Sequence, residues 1–383
     1  MQLIHESALC CNGVRERRSL SQRGFELLNG LPFIATDTSI HRLLNLQTVQ
    51  EARQLQVALG KTRRSLGHFD GVLLSIDPHR LHSRTQRQML HLRKDANQPP
   101  AKMAQTFFCL DADTHEPLCF TSASSAQSVT RATPELLTMA EDILGPLAHT
   151  PLALADTEHH TVKLHQWVAE SPFDLLVPMP AHKNVKNAQR KMAADLFTEH
   201  WPGYATARSP YHFKQYPEHT YYQFTQRTGQ APDQWQFKSF LCSSERDEVR
   251  ALTEQYPRRW HVEQFFDNAQ ALGWKRAGTM NQNIQYGRMT LALFAQAASS
   301  MLKKKLPGYM QTWDSMHLAQ DLFRAVEGDL RVKNDTIIVT LYNCPETARF
   351  KQEYEKMPEK LSAEGVNPKV PWLYDLKIDF RFK

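Results

Sequence analysis

The sequence predicts an α/β protein in which a mixed β-sheet is flanked by helices, and three observations support this fold class. Three candidate strands follow one another between residues 72 and 122. Helical and strand patterns then alternate between residues 133 and 177. A segment of alternating aromatic and polar residues, 180–244, separates this part from a long helical block. Early strands followed by alternating helices and strands are typical of mixed sheets with helices on their faces.

Two of the candidate strands are continuous apolar runs. Residues 72–76 read Val-Leu-Leu-Ser-Ile and are followed by Asp77-Pro78, and residues 152–155 read Leu-Ala-Leu-Ala and are followed by Asp156. Runs without alternation are typical of strands that are buried on both faces. We therefore expect both strands in the middle of the sheet, each with an aspartate at its C-terminal end.

Changes in pattern along the chain predict five segments. They are a helical N-terminal region (1–68), a first part of the α/β core (69–179), a β-rich insertion (180–244), a helical second part of the core (245–305) and a C-terminal region (306–383). The N-terminal region has an excess of Lys and Arg, which fits a small DNA-binding module. A solvated helical cap explains the same charges, and both interpretations stay open.

Composition excludes several classes of protein. With 41% hydrophobic and 22% charged residues among 383, the chain has enough apolar surface for a sizeable core and is not mainly disordered. Lys and Arg number 46 against 40 Asp and Glu, a net charge of +6. Such a balance suits a polyanionic partner without proving one.

The most apolar window, residues 289–302, is shorter than the roughly 18–20 residues that a membrane span needs. Residues 1–13 lack the pattern of a signal peptide, and the six cysteines form no CxxC pair and no zinc-binding spacing. We therefore expect a cytoplasmic protein with reduced, structural thiols and no membrane partner.

The two strand-end aspartates, Asp77 and Asp156, are the first candidates for chemistry. Ligands of open α/β sheets bind beyond the carboxyl ends of the strands. Two carboxylates brought together by adjacent strands repel each other, and a divalent cation relieves this repulsion. For either residue alone, the competing interpretation is that aspartate simply terminates a strand.

A third candidate acid lies in a helix predicted to begin at Tyr256-Pro257, because proline is tolerated in a first helical turn. Arg259 and Glu263 are four residues apart and share one stripe of this helix, beside an apolar stripe. Asp267, one turn further on, is the alternative acid. Taken alone, the Arg259 stripe also fits a solvated face with ion pairs.

The pattern Tyr256-x-x-Arg259-x-x-x-Glu263 resembles the Y-x2-R-x3-E-x6-K signature of bacterial insertion-sequence DDE transposases of the cut-and-paste type. The stretches 331–340 and 371–373 also resemble this family, so the resemblance extends from about Gly71 to the C-terminus. It implies an RNase H-like catalytic core with a β-strand insertion before the last catalytic helix. It also implies a bacterial, nucleoid-associated protein.

The resemblance implies that Asp77, Asp156 and Glu263 form a catalytic triad. These acids would bind two Mg²⁺ ions, with Mn²⁺ as a substitute, for phosphoryl transfer on DNA. Arg259 would hold a phosphate, and Tyr256 would contact the strand near the cut. The implied partners are double-stranded DNA, namely terminal inverted repeats and target DNA, and a second copy of the chain in a homodimer on DNA.

The sequence departs from the signature at Gln270, where the family has Lys. Lys275 or Arg276 would then supply the missing cation, or the role is lost. A basic stretch at the start of the insertion, with Lys183 and Lys186, is a further candidate for DNA contact.

Two functional alternatives remain at the level of sequence. One is a nuclease with the same core, or a domesticated relative, that cuts DNA without joining it. The other is a DNA-binding protein whose acids are structural. His159 and His160, which follow Asp156 closely, either contact DNA or a metal or are ordinary, partly exposed histidines.

Overall fold

The computed structural model describes residues 1–11, 22–83, 99–190, 192–274 and 281–383, together with the single residues 86, 88 and 92. The chain divides into two compact units. One consists of Arg53–Phe266, and the other combines Met1–Ala52 with Asp267–Lys383. The five predicted segments are not tested by this division and stay a prediction.

The described strands occur in the order of the predicted α/β pattern. They are β1 Leu73–His82, β2 Met103–Asp111, β3 Glu116–Ser124, β4 Leu152–Leu154, β5 Asp174–Pro178, β6 Thr198–Trp201, β7 Tyr204–Phe213, β8 Tyr216–Thr228, β9 Gln236–Cys242, β10 Gly328–Lys333, β11 Thr336–Leu341, β12 Lys369–Val370 and β13 Leu376–Phe382.

The described α-helices flank these strands. They are α1 Gln2–Ala8, α2 Arg23–Leu28, α3 Asp37–Leu46, α4 Val49–Ser65, α5 Val129–Leu144, α6 Val162–Ala169, α7 Lys183–Arg190, α8 Glu248–Arg250, α9 His261–Ala269, α10 Gln282–Lys305, α11 Gly308–Gln311, α12 Ser315–His317, α13 Thr347–Tyr354 and α14 Met357–Ala363. The first four lie in the N-terminal region that the sequence predicts to be helical.

The sheet of the Arg53–Phe266 unit has nine strands in the order β3-β2-β1-β4-β5-β9-β8-β7-β6. β1 pairs antiparallel with β2 and parallel with β4, and β4 pairs parallel with β5. This confirms the predicted mixed, RNase H-like sheet flanked by helices. The predicted β-strand insertion is also present, but its strands extend the same sheet, because β9 pairs directly with β5.

The two faces of this sheet bury different sets of side chains, since successive side chains of a strand point to opposite faces. Leu74 and Ile76 of β1 pack in one core, together with apolar residues of α5 and α6. Leu73 of β1 packs in the other core with Leu154 and Phe240, and Tyr256 packs against this second core. The second face therefore carries the segment with the family signature.

Two expected boundaries were wrong. β1 does not end before Asp77-Pro78 but continues to His82, paired with β2. Its pairing with β4 stops at Ser75, so Pro78 lies where β1 has lost one neighbour, and prolines are tolerated on such edges. The helix start expected at Tyr256-Pro257 is likewise absent, because helical structure runs on from Glu248, within the helical block predicted for 245–305, through π-type turns over Ala251–Gln255 and 3₁₀-type turns over Tyr256–Trp260.

The second unit contains a four-stranded sheet in the order β10-β11-β13-β12. The predicted strand at 336–342 is present as β11, which pairs parallel with β13. The apolar window 289–302 lies within α10, and Leu44 of α3 packs against Gly287 of that helix. In the part of the chain that the structure describes, no helix is both long and apolar enough to cross a membrane.

Candidate active site

The register of β1 and β4 brings Asp77 and Asp156 to one level. Ser75 is paired with Leu154, and each aspartate lies two residues further along its own strand direction. Because side chains alternate, both aspartates point to the face that carries Leu73 and Leu154. The sequence prediction that two neighbouring strands deliver these acids to one edge therefore agrees with the backbone pairing.

The helical segment from Tyr256 to His261 is attached to the same edge of the sheet. The Tyr256 hydroxyl donates to the carbonyl oxygen of Ala155 at 3.3 Å, directly before Asp156. The Ser75 hydroxyl donates to the Arg258 carbonyl oxygen at 3.3 Å, directly before Arg259. These two contacts position the signature residues beside the end of β4, where the pairing of β1 with β4 stops.

Arg259 lies among the predicted acids. Its Nη2 donates to Glu263 Oε1 at 2.7 Å, and its Nη1 lies 3.9 Å from Asp77 Oδ1. The Arg259 and Asp77 side chains are only 14% and 13% exposed, whereas Glu263 is 33% exposed. The predicted i, i+4 pair therefore exists, and it faces the strand ends rather than open solvent.

The electrostatics of Asp77 show an excess of negative charge at this site. Burial and the neighbouring charges of Asp156 and Glu263 raise the pKa of Asp77 to about 7, although Arg259 and Arg80 act in the opposite direction. A carboxyl group gains a proton more easily when its charged form lacks solvent and positive neighbours. The two guanidiniums therefore do not offset the effects of burial and of the two neighbouring carboxylates on Asp77.

Asp156 has a different environment because His159 is beside it. Burial acts to raise the pKa of Asp156, but the hydrogen bond and charge of His159 outweigh this effect, so the pKa lies below its usual value. His159 Nδ1 and the Glu158 backbone N–H both contact Asp156 Oδ1, at 2.7 and 3.0 Å. One oxygen of Asp156 is thus held in place by its own loop.

Tyr256 and Arg259 remain in their ordinary protonation states. Burial is the main cause that raises the pKa of Tyr256 to about 12, so the hydroxyl keeps its proton. Burial opposes the charge of Arg259, but the Glu263 hydrogen bond and the nearby acids outweigh it and raise the Arg259 pKa. A phenol donor and a permanent cation therefore stand beside the acids.

The other predicted DNA-contacting residues have separate outcomes. Lys183 and Lys186 are exposed on α7. Lys275 and Arg276 lie outside the described residues. No feature of the described structure tests whether any of these four residues contacts DNA.

Two contacts beside the site were not predicted. His159 is buried and bonded to Asp156, so the interpretation of an ordinary, partly exposed histidine was wrong for this residue. Lys238 of β9 has its Nζ 5.6 Å from the centre of the Tyr256 ring. The three-residue spacing of Asp156 and His159 was a local signal for the first contact, whereas the second joins distant parts of the sequence.

The carboxylate oxygens of this site are of the type that binds a hard divalent cation, although the described side chains are not arranged around one. Carboxylate oxygens are the ligands that Mg²⁺ prefers, and Asp77 and Asp156 face the same edge, where the pKa of Asp77 is raised. Among the described residues, no group of three or more His, Cys, Asp or Glu side chains is arranged to hold a metal ion. Arg259, paired with Glu263, lies where the acids converge.

Comparisons with known proteins add two findings. The family model described as "Transposase DDE domain" matches residues 81–297, a range that contains Asp156, Arg259 and Glu263 and begins shortly after Asp77. A cryo-EM structure of a piggyBac transposase synaptic complex with hairpin DNA matches with a TM-score of 0.42 and 12% identity. That match covers 83% of this chain and 68% of the other. No curated protein matches the sequence.

Proposed function

The chain belongs to the Transposase DDE domain family, and from this premise we propose that it is a DNA transposase. It cleaves and joins transposon ends by metal-dependent phosphoryl transfer, with Asp77, Asp156 and Glu263 as the catalytic acids. The origin in a bacterial insertion sequence and a nucleoid-associated location in the cytoplasm belong to the same proposal.

The observation that carries this proposal is the grouping of Asp77 with Asp156 and Glu263 close to the point where the pairing of β1 with β4 stops. Burial, which is the largest cause, and the charges of Asp156 and Glu263 raise the pKa of Asp77 to about 7 even with Arg259 and Arg80 present. A purely structural ion cluster would pair each buried acid with a cation, because an uncompensated buried charge is costly. Acidic side chains with strongly shifted pKa values are common at functional sites.

Asp77, Asp156 and Glu263 would hold two Mg²⁺ ions, with Mn²⁺ as a substitute. Bound there, the ions would lower the pKa of an attacking water or 3′-hydroxyl and stabilise charge on the leaving oxygen. The chain itself contributes the position of the acids: His159 holds one oxygen of Asp156, and the β1–β4 register sets Asp77 at the same level.

Arg259 and Tyr256 would bind the DNA strand near the cut. A guanidinium binds phosphate through paired hydrogen bonds, and Arg259 projects from the helix directly beside Asp77. The Tyr256 hydroxyl, bonded to Ala155, lies next to Asp156 in the chain. Both groups keep their protons, so they act as donors rather than as bases.

More distant contacts complete the proposal. Lys183, Lys186, Lys275 and Arg276 would contact the DNA backbone, and the helices of the N-terminal region would add DNA affinity. Double-stranded DNA, as terminal inverted repeats and as target, is the substrate, and two copies of the chain would act as a homodimer.

A strand-transfer assay tests this function. Labelled duplexes that carry the flanking ends of the gene, already cut to expose the 3′-hydroxyl, are incubated with protein, Mg²⁺ and a plasmid target. We expect labelled plasmid with wild-type protein, and none with EDTA or with Asp156→Asn. Cleavage of uncut ends without joining would support the nuclease alternative. Absence of cleavage together with no Mg²⁺ binding in calorimetry would support the non-catalytic alternative.

A further inference from the structure

We propose that Lys238 binds a backbone phosphate of the DNA strand beside the catalytic acids, and this inference rests on the function proposed above. Lys238 lies in the insertion, outside the sequence signature. Lys238 would provide a phosphate-binding cation in a chain that has Gln270 where the family signature has Lys.

The sheet register places Lys238 at the same edge as Asp77 and Asp156. β9 runs antiparallel to β5, and Phe240 is paired with Pro178, the last residue of β5. Lys238 precedes Phe240 by two residues, so it extends past the carboxyl end of β5. Since side chains alternate, Lys238 also points to the same face as Phe240, which is the face of the catalytic helix.

Two aromatic rings hold the Lys238 ammonium in this position. Its Nζ is 4.9 Å from the centre of the Phe240 ring and 5.6 Å from that of Tyr256, and the two rings pack edge to face at 4.8 Å. A cation over an aromatic face is attracted by the ring, and this interaction orders it without neutralising its charge. The ammonium therefore remains available to an anion.

The positive charges of Lys238 and Arg259 favour the binding of an anion beside Lys238. Among the residues that the structure describes, no carboxylate forms an ion pair with Lys238, whereas Arg259 is paired with Glu263. Partial burial and the positive charge of Arg259 lower the pKa of Lys238. A phosphodiester that contacts both side chains would remove this repulsion, and it is the anion that the proposed substrate carries.

Salt-dependent DNA binding tests the inference. Every protein carries Asp156→Asn, which should bind a fluorescein-labelled duplex in Mg²⁺ without cutting it. Fluorescence anisotropy gives the dissociation constant at several NaCl concentrations. The plot of log K against log salt has a negative slope, and the loss of one phosphate contact makes this slope less steep by about 0.9. We expect this reduction, with several-fold weaker binding, for Lys238→Gln and for Lys238→Met, which keeps the aliphatic stem on the rings.

Two controls make the result specific. Lys238→Arg keeps the charge and should preserve the slope. Lys163→Gln removes an exposed lysine from α6, which covers the opposite face of the sheet, and should also preserve it. An unchanged slope for Lys238→Gln, or an equal reduction of the slope for Lys163→Gln, would overturn the proposed role of Lys238 but not the proposed function. Failure of the parent protein to bind DNA would instead overturn the proposed function.

Discussion

Two of the ionic clusters in the Arg53–Phe266 unit differ in how their charges are balanced. In the first, Arg63 is 2% exposed and its Nη2 lies 2.5 Å from Glu116 Oε2, with a further bond to the Pro117 carbonyl oxygen. The Arg63 guanidinium also lies 4.7 Å from the Phe69 ring centre. In the second, Arg259 faces Asp77 and Glu263, and Asp156 is close enough to act on the pKa of Asp77.

The difference teaches which cluster is built for stability and which for chemistry. Arg63 and Glu116 form one cation with one anion, and their remaining polar atoms are largely bonded within the chain. The cluster around Arg259 has three acids, the pKa of Asp77 stays raised although Arg259 and Arg80 both act on it, and the cluster is partly open to solvent. The buried Arg63–Glu116 pair stabilises the fold, whereas the acids around Arg259 carry negative charge that can bind a cation.

The largest expected effect is on catalysis at the unbalanced cluster. Glu263→Gln keeps the size of the side chain but removes a charge and most of its affinity for a hard cation. We expect Mg²⁺-dependent cleavage to fall by several orders of magnitude, while DNA binding is retained or strengthened. A gel-based cleavage assay and anisotropy measure the two quantities.

The matched control is Glu254→Gln on the same helical segment. Glu254 is 64% exposed and lies 3.6 Å from Arg250, so its loss should leave cleavage unchanged. Ordinary cleavage by Glu263→Gln would remove this residue from the triad, and loss of cleavage in Asp267→Asn instead would move the third acid by one turn.

The next effect is on stability at the balanced cluster. Arg63→Met removes the guanidinium that pairs with the buried Glu116 carboxylate, and breaking a buried pair in this way costs about 3–5 kcal/mol. Denaturant unfolding should show this loss, whereas the exposed Lys61→Met on the same helix should change stability by less than about 0.5 kcal/mol. If Arg63→Met were as stable as Lys61→Met, the pair would not be a structural element.

A smaller effect is the pH dependence of the metal-free protein. The pKa of Asp77 is about 7 in the folded state against 3.8 as its ordinary value, so the folded state binds more protons between these values. The free energy of unfolding therefore falls as pH rises from about 4 to about 7 and is flat above, by at most about 4 kcal/mol.

Asp77→Asn should flatten this part of the stability curve and raise stability at pH 8, because the repulsion of a buried carboxylate is gone. Unfolding curves in EDTA between pH 4 and pH 8 measure the effect. If the free energy of unfolding had the same pH dependence in wild type and Asp77→Asn, Asp77 would not be the acid with the raised pKa. Added Mg²⁺ should stabilise the wild type at pH 8 and the variant much less.

Sequence patterns anticipated a large part of the candidate site. The apolar runs before Asp77 and Asp156 identified neighbouring strands, and the four-residue spacing of Arg259 and Glu263 identified an ion pair on one helical stripe. Such signals are local, since they depend on the periods of strands and helices. The exact end of β1 was missed, because β1 continues to His82 by pairing with the distant strand β2 after its pairing with β4 has stopped.

The sequence by itself determined the strand and helix periods, the mixed sheet with flanking helices and the residues of the family signature. Only the tertiary structure decided that the insertion extends the core sheet, that His159 is buried against Asp156 and that Lys238 lies over the Tyr256 ring. Strand register and burial arise from pairing between distant segments, and no local pattern encodes which ones meet. The raised pKa of Asp77 follows from its burial and from the charges that the fold brings near it, because both depend on position in space rather than along the chain.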